Sequence, residues 1–136
     1  MKPVIIFLIL FSLGCAHKPK TLYNRIGGET SIQKITDNFI DQIGNDDVIY
    51  KYFEKSNVDR FRQSFEIHLC MSTGGPCNYV GDNMQEIHRG MMINEGDFNR
   101  TVDLLINAMR KSGLTHRESN RVIARLIPHH KNIVYK

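Results

Sequence analysis

The sequence lacks three patterns that would each define a class of protein. No segment alternates apolar and polar residues as a half-buried strand does, which excludes a β-rich fold. The formal charge of +4 is carried by scattered basic residues, with no basic arm or stripe, so we expect no nucleic-acid binding. Only three cysteines occur, and none stands at the spacing of a zinc site. The length of 136 residues suits one domain.

The first 14 residues are typical of an export signal. Lys2 supplies a positive start, and Val4–Leu13 is an apolar run that is too short to span a bilayer comfortably. The following Ser12-Leu13-Gly14-Cys15 resembles the lipobox of bacterial lipoproteins, with its leucine and small residue in exchanged order. The resemblance implies cleavage before Cys15 and acylation of its thiol. An uncleaved anchor, or a signal peptide in which Cys15 is incidental, are the alternatives.

These features predict three segments. Residues 1–14 are a signal peptide, residues 15–20 a lipidated tether and residues 21–136 the folded domain. The protein would then be exported and held by lipid at a bacterial membrane, facing the periplasm. Ala16 stands where inner-membrane lipoproteins carry aspartate, which favours the outer membrane.

Cys70 and Cys77 stand seven residues apart across Gly74-Gly75-Pro76. In an oxidising compartment the two thiols can form a disulfide, and the alternative is two free thiols with one of them buried on a helix. A disulfide here would allow thiol oxidation to act on the helix that carries Phe65 and His68.

Apolar residues recur at three- and four-residue steps along the chain, which predicts an all-α fold. Asn57 and Asn94 are expected to cap helices, and Thr115 with Glu118 forms a capping-box pattern that opens the last helix. Pro128 is expected to end or kink that helix. The inward face of the helix after Asn57 is predicted to consist of Val58, Phe61, Phe65, His68 and Leu69.

Six histidines occur, and two of them lie on apolar helix faces. His68 and His88 are therefore candidates for a ligand role, although a single histidine on such a face is more often an ordinary core residue. The other four are expected to be exposed because of their places in the tether, a helix cap and the chain end: His17, His116, His129 and His130.

Three motifs resemble group I truncated haemoglobins in order and spacing. They are Leu22-Tyr23-Asn24-Arg25-Ile26-Gly27-Gly28, then Gly74-Gly75-Pro76 with Tyr79 and Gly81, then Met84-Gln85-Glu86-Ile87-His88-Arg89-Gly90. Phe98 and Pro128 also fall where that family has Phe and Pro. The resemblance runs from about Thr21 to Ile133 and implies a two-over-two helical sandwich around haem b.

The resemblance implies that His88 is the proximal iron ligand. Such a ligand needs a neutral ring whose other nitrogen donates to a carbonyl or carboxylate, and a short helix with apolar neighbours suits it. The remaining haem contacts are predicted to come from Ile40, Phe53, Phe61, Phe65, His68, Leu69, Met84, Ile93 and Phe98. For His68 we consider contact with a propionate or the haem edge, ligation of iron, or a core role.

The sequence departs from the family at three positions that face bound ligand. Ile40 stands where group I relatives usually have tyrosine, and Phe61 and Phe65 stand where they often have glutamine. The resemblance therefore implies a pocket without its usual hydrogen-bond donors. Such a donor contributes about 1–3 kcal/mol to holding dioxygen, so we expect dioxygen to be held loosely. Carbon monoxide and nitric oxide should be affected less.

We expect a haem protein that binds O2, NO or CO at a membrane surface. One alternative is an enzyme, either a nitric oxide dioxygenase served by an unknown reductase or a haem-redox catalyst with peroxidase-like activity. The dioxygenase would need dioxygen to be held firmly, which the three apolar positions argue against. Another alternative is a non-haem helical adaptor lipoprotein, against which His88 argues.

Overall fold

The computed structural model describes residues 20–136 of the chain. The predicted signal peptide, Cys15 and most of the predicted tether lie outside the described residues. Within 20–136 there is no strand, and no helix there is both long enough and apolar enough to cross a membrane. The helices are α1 (Leu22–Arg25), α2 (Gly28–Gly44), α3 (Asp47–Tyr50), α4 (Val58–Ser72), α5 (Met84–Ile87), α6 (Glu95–Lys111) and α7 (His116–Leu126), followed by a 3-10 segment, Ile127–Asn132.

Short polar side chains begin the helices where the sequence predicts them. The Asn57 side chain accepts a hydrogen bond of 2.8 Å from the Arg60 backbone N–H, and α4 begins at the next residue. Asn94 opens α6 in the same way. At the start of α7 both hydrogen bonds of the predicted capping box are present. These predictions are confirmed because a cap depends only on residues within one turn.

The four long helices form two pairs. Helix α2 packs against α4, α6 packs against α7, and the pairs meet chiefly where α2 crosses α6 and α4 meets α7. The contacts bury a continuous apolar core that includes Ile32, Ile35, Phe39, Ile43, Ile49, Leu69, Leu105, Ala108, Met109 and Val122. The predicted inward place of Val58 is wrong, since its side chain is 51% exposed in the first turn of α4.

Two carboxylates join the segment around α3 to α6. Asp46 caps α3 and pairs with Arg100 of α6 at 2.7 Å. Asp97 of α6 accepts hydrogen bonds from Lys51 and Tyr52. Burial opposes ionisation of Asp46, but hydrogen bonds from Ile49 and Arg100 outweigh it and lower its pKa. The segment that carries Tyr52 and Phe53 is thereby held against α6.

A disulfide joins Cys70, near the end of α4, to Cys77 in the following loop. Of the two possibilities that the sequence allows, a disulfide or two free thiols, the structure has the disulfide. The Gly75 backbone N–H donates to the Cys70 carbonyl at 2.8 Å, which turns the chain back toward the helix. The loop that continues to Tyr79 is therefore tied to α4.

Candidate functional site

A cavity of about 310 Å³ opens between the helix pairs. Most of the side chains around it are apolar or aromatic. They are Phe39, Tyr52, Phe53, Ser56, Phe61, Ser64, Phe65, His68, Tyr79, Met84, Ile87, His88, Met91, Phe98, Thr101, Val102, Leu105, Ile123, Leu126, Ile127, His129 and Ile133.

His88 directly follows the short helix α5 and is half-buried at the cavity. Its Nδ1 lies 2.7 Å from the Met84 carbonyl oxygen. A carbonyl can only accept, so Nδ1 carries the proton and Nε2 keeps its lone pair. Burial lowers the pKa of His88, and the hydrogen bond to Met84 offsets part of this effect. The arrangement therefore presents a neutral, oriented imidazole, which is what a haem ligand requires.

Aromatic rings from α2, α4 and the segment before α4 form one wall of the cavity. The Phe39 and Phe65 ring centroids are 5.0 Å apart, those of Phe61 and Phe65 5.5 Å, and those of Phe53 and Phe61 5.0 Å. Ser64 adds a hydroxyl to the lining between Phe61 and Phe65. The wall offers an apolar aromatic surface against which a porphyrin can pack, and within it the Phe61 and Phe65 rings lie nearly parallel.

His68 is 8% exposed and its ring contacts other rings. Its centroid lies 5.1 Å from that of His129 and 6.4 Å from that of Tyr79. Burial, with smaller contributions from the nearby His129 and His88, lowers the pKa of His68 to about 4. His68 is therefore neutral at physiological pH.

The expected exposure of His129 is wrong, whereas the His130 side chain is 36% exposed. After Pro128 the chain continues as the 3-10 segment and folds back, so His129 lines the cavity and is half-buried. The His130 ring lies against Phe98 with centroids 4.6 Å apart, and its Nε2 is 2.8 Å from a Glu95 carboxylate oxygen. His116 is exposed, as predicted.

Most of the predicted site residues meet at this cavity. His88 lines it together with Phe53, Phe61, Phe65, His68, Met84 and Phe98. Ile40, Leu69 and Ile93 do not line it, since Ile40 is half-buried on α2, Leu69 is in the core and Ile93 is buried elsewhere. Successive helix residues point about 100° apart, so Phe39 and His68 face the cavity and their neighbours Ile40 and Leu69 do not.

Sequence reasoning missed several lining residues, of which Tyr79 and His129 matter most. Tyr79 lies in an irregular loop, where no periodicity indicates which way a side chain points. The sequence offered one signal for Tyr79: it stands two residues after Cys77, and a disulfide from Cys77 to Cys70 brings this loop, and Tyr79 with it, close to α4.

Two pairs of helices around an apolar cavity, with one oriented histidine in its wall, define a small globin. A family model described as a bacterial-like globin matches residues 21–134, and the chain belongs to this family. Membership implies haem iron and the binding of small ligands. The cavity and the free Nε2 of His88 fit that group, because a five-membered ring fixed through Nδ1 can offer only its other nitrogen to a metal.

The comparisons with individual proteins agree. The group 1 truncated hemoglobin of Tetrahymena pyriformis is 28% identical over 113 residues, which cover 83% of this chain and 93% of that protein. Group 1 truncated hemoglobin GlbN of Mycolicibacterium paratuberculosis is 23% identical over 111 residues, with 82% of each chain covered. The sequence-based expectation of a truncated globin is confirmed.

Solved structures confirm the two-over-two fold. The Fe(III) form of Tetrahymena pyriformis truncated hemoglobin matches with a TM-score of 0.83 at 25% identity, over 86% of this chain and all of that one. The 2/2 hemoglobin of Synechococcus sp. PCC 7002 matches with a TM-score of 0.79 at 14% identity, over 85% and 98%, and shows the fold alone. The match extends over the whole of the Tetrahymena chain in that structure, so the globin part of this chain corresponds to that chain from end to end.

Proposed function

We propose that this protein is a haem b globin that binds O2, NO or CO and is held by an acylated Cys15 at a bacterial membrane, facing the periplasm. The observation that supports haem binding most directly is the hydrogen bond of 2.7 Å from His88 Nδ1 to the Met84 carbonyl. It fixes the tautomer and the ring, and leaves Nε2 for iron.

The chain supplies one metal ligand and an apolar enclosure. His88 Nε2 would hold the iron, and the aromatic wall of Phe61 and Phe65 would cover one side of the macrocycle, with Met84 and Phe98 packing around it. When bound, haem iron supplies a coordination position for a diatomic ligand. The apolar side chains around it would shield much of the macrocycle from bulk water.

The side of the cavity formed by α2 and α4 has few hydrogen-bond donors. Phe39, Phe61 and Phe65 line it, and its polar side chains are Ser64 and His68. A donor to dioxygen contributes about 1–3 kcal/mol, or roughly tenfold to a hundredfold in affinity. We therefore propose that dioxygen is held loosely, while carbon monoxide and nitric oxide, which gain less from a donor, are affected less.

The disulfide supports export. Disulfides persist in oxidising compartments such as the periplasm and are rare in the cytosol. The Cys70–Cys77 bond agrees with the signal peptide and lipobox that the first 15 residues resemble. Fractionation of cells that express the full chain or its Cys15→Ser variant tests the anchor. We expect the full chain to stay in the membrane fraction after a high-salt wash and to incorporate labelled palmitate, and the variant to incorporate none. Equal labelling of the two proteins would contradict acylation at Cys15.

The haem proposal is tested by the optical spectrum of residues 16–136 given haemin. We expect a sharp Soret band that weakens or shifts in His88→Ala and is unchanged in His116→Ala, because His116 is exposed and outside the cavity lining. Absence of a specific band, or a band indifferent to His88, would contradict haem binding and favour a helical adaptor lipoprotein.

A second candidate is oxidation of nitric oxide to nitrate by bound dioxygen, which supplies both added oxygen atoms, while an unknown reductase returns one electron per turnover. The observation that favours it is the Ser64 hydroxyl in the cavity lining, which offers a donor to dioxygen. The dissociation rate of dioxygen from the ferrous protein distinguishes the two. A slow rate that rises in Ser64→Ala would favour this activity, whereas a fast rate that Ser64→Ala leaves unchanged would favour the ligand binder.

A further inference from the structure

Four basic side chains that are far apart in the sequence lie together on the surface. Lys20 and Arg25, from the start of the domain, line a cleft of about 430 Å³ with Arg121 and Arg125 of α7. Helices α1 and α7 pack against each other and bring the two sets together. We call this the α1/α7 basic cleft. The sequence-based description of the basic residues as scattered is wrong for these four.

The cleft has an excess of positive charge. Its other lining residues are neutral, and none of the ion pairs found among residues 20–136 involves any of the four cations. Glu118 of α7 lies near Arg121. Hydrogen bonds from Thr115 are the main reason that the pKa of Glu118 is lowered, and the charge of Arg121 makes the smallest contribution. Like charges gathered in one concave surface attract anions.

The cleft is also partly pre-organised. Arg25 Nε donates to the Lys20 carbonyl at 3.1 Å, which uses one guanidinium donor and holds the side chain along the start of the domain. The other donors of Arg25 stay available, and arginine donors suit phosphate oxygens, which they can contact two at a time. All four cations are exposed, so a large flat anionic surface can reach them as well as a small ion can.

The place of Lys20 in the chain identifies the ligand. Lys20 is five residues from Cys15, and five residues span at most about 18 Å even when fully extended. If Cys15 is acylated, as proposed above, Lys20 at the cleft cannot be further than this from the residue that carries the lipid chains. We therefore propose that the α1/α7 basic cleft binds the phosphate groups of anionic lipid headgroups and sets which face of the globin rests on the membrane. The inference rests on the proposed lipid anchor.

The basic cleft would give the protein a second membrane signal beside its acyl chains. Clusters of four or more Lys and Arg at a membrane surface bind anionic lipids, and the attraction falls within a Debye length. A domain on a flexible tether alone could rotate freely, whereas four cations on one face favour one orientation.

The test uses residues 16–136 without lipid, so that the cleft is measured apart from the anchor. Binding to phosphatidylcholine vesicles with and without phosphatidylglycerol is compared for the wild type and two double variants. Arg121→Gln/Arg125→Gln removes two cations of the cleft. Arg60→Gln/Arg110→Gln removes two exposed cations elsewhere and is the matched control for net charge.

We expect the wild type to bind only the anionic vesicles, and less at high salt. The cleft variant should bind them about 25-fold more weakly, at about fivefold for each of the two cations removed, and the control less than twofold. Equal losses in both variants would overturn the proposal, because net charge alone would then explain binding. Equal binding to both vesicle types would overturn it too.

Two further outcomes separate this inference from the proposed function. Binding of inorganic phosphate without vesicle binding would assign the cleft to a free anion and overturn the lipid assignment. The Soret band should be unchanged in both double variants, so a failure of vesicle binding does not bear on haem. Palmitate labelling of the full chain and Cys15→Ser tests the anchor independently. Vesicle binding that is lost only in the cleft variant supports lipid binding by the cleft, whereas absence of labelling would overturn the orientation that the anchor and the cleft are proposed to set together.

Discussion

Two histidines face the same cavity from different kinds of structure. His88 follows a helix of four residues and is half-buried, and a hydrogen bond to Met84 fixes its ring. His68 lies within the long helix α4, is 8% exposed and contacts the rings of His129 and Tyr79. The less buried histidine is the better candidate ligand, because ligation requires an oriented ring with a free nitrogen rather than burial itself.

Both rings stay neutral, but for different purposes. At His88 a neutral ring keeps Nε2 available for a metal. At His68 burial lowers the pKa to about 4, and the neutral ring serves as part of an aromatic contact. We therefore expect the α5 side of the cavity, which carries His88, to determine whether haem is held. The α4 side, which carries Phe61, Phe65 and His68, should determine the rates of ligand dissociation and part of the stability of the fold.

The largest expected effect comes from removing each of the two histidines in turn. His88→Gly should weaken haem binding by more than the roughly 10–100-fold that loss of an outer-shell partner costs. Added imidazole should restore the Soret band, because it replaces the missing ring. His68→Gly should leave haem bound, measured by haem transfer to an excess of apomyoglobin. If His68→Gly releases haem as fast as His88→Gly, the comparison is wrong.

The disulfide should stabilise the α4 side of the cavity without changing how His88 holds haem. Cys70→Ser/Cys77→Ser should lower the free energy of unfolding by about 2–3 kcal/mol, because the bond closes a short loop in the unfolded chain. Denaturation of the variant and of the reduced wild type should give the same value. The Soret maximum set by His88 should not move. A moved maximum would mean that the loop which carries Tyr79 also positions the α5 side.

A donor placed on the aromatic wall should sharpen the contrast between ligands. Phe61→Gln or Phe65→Gln should slow dioxygen dissociation by roughly tenfold to a hundredfold, because a hydrogen bond contributes about 1–3 kcal/mol. Carbon monoxide dissociation should change less. Phe53→Leu is the control, since it alters the same aromatic cluster without adding a donor. Stopped-flow ligand exchange measures all of these rates. An unchanged rate in both glutamine variants would contradict the proposal that Phe61 and Phe65 face the bound ligand.

The smallest expected effect is the part of the pH dependence of the free energy of unfolding that His68 causes. Its pKa falls from 6.5 to about 4 on folding, so the unfolded chain binds more protons between these values. His68 therefore contributes stability that is present above about pH 6.5 and is lost as the pH falls toward 4. Haem-free wild type should lose more stability over this window than His68→Leu. Parallel curves of stability against pH for the two proteins would contradict a lowered pKa of His68 in the folded protein.

Local signals predicted the helices, whereas contacts between distant segments could not be predicted. Asn57, Asn94 and Thr115 each act within one helical turn, so the sequence alone sufficed for them. His88 followed from a motif together with an apolar helix face. His129 was missed because its place depends on how the segment after Pro128 packs on the cavity, and no periodicity reports that.

The placement of single residues on helices was less predictable than the helices themselves. Ile40 and Leu69 are each one position away from a residue that lines the cavity, and one position turns a side chain by about 100°. The α1/α7 basic cleft was out of reach for another reason. About one hundred residues separate Arg25 from Arg125, and only the packing of α7 on α1 joins them.

The turn at Gly75 has a consequence for how this protein can evolve. A methyl group added at Gly75 would lie 2.6 Å from Cys70 Sγ and 2.6 Å from Tyr23 Cδ2, closer than carbon atoms approach sulfur or ring carbons in proteins. The sulfur is held by its bond to Cys77, and the Tyr23 backbone is held beside the turn by the hydrogen bond from its N–H to the Thr73 carbonyl. A side chain at Gly75 therefore requires both the sulfur and the Tyr23 ring to move, so we expect replacement of this glycine to be accompanied by changes at Cys70 and Tyr23.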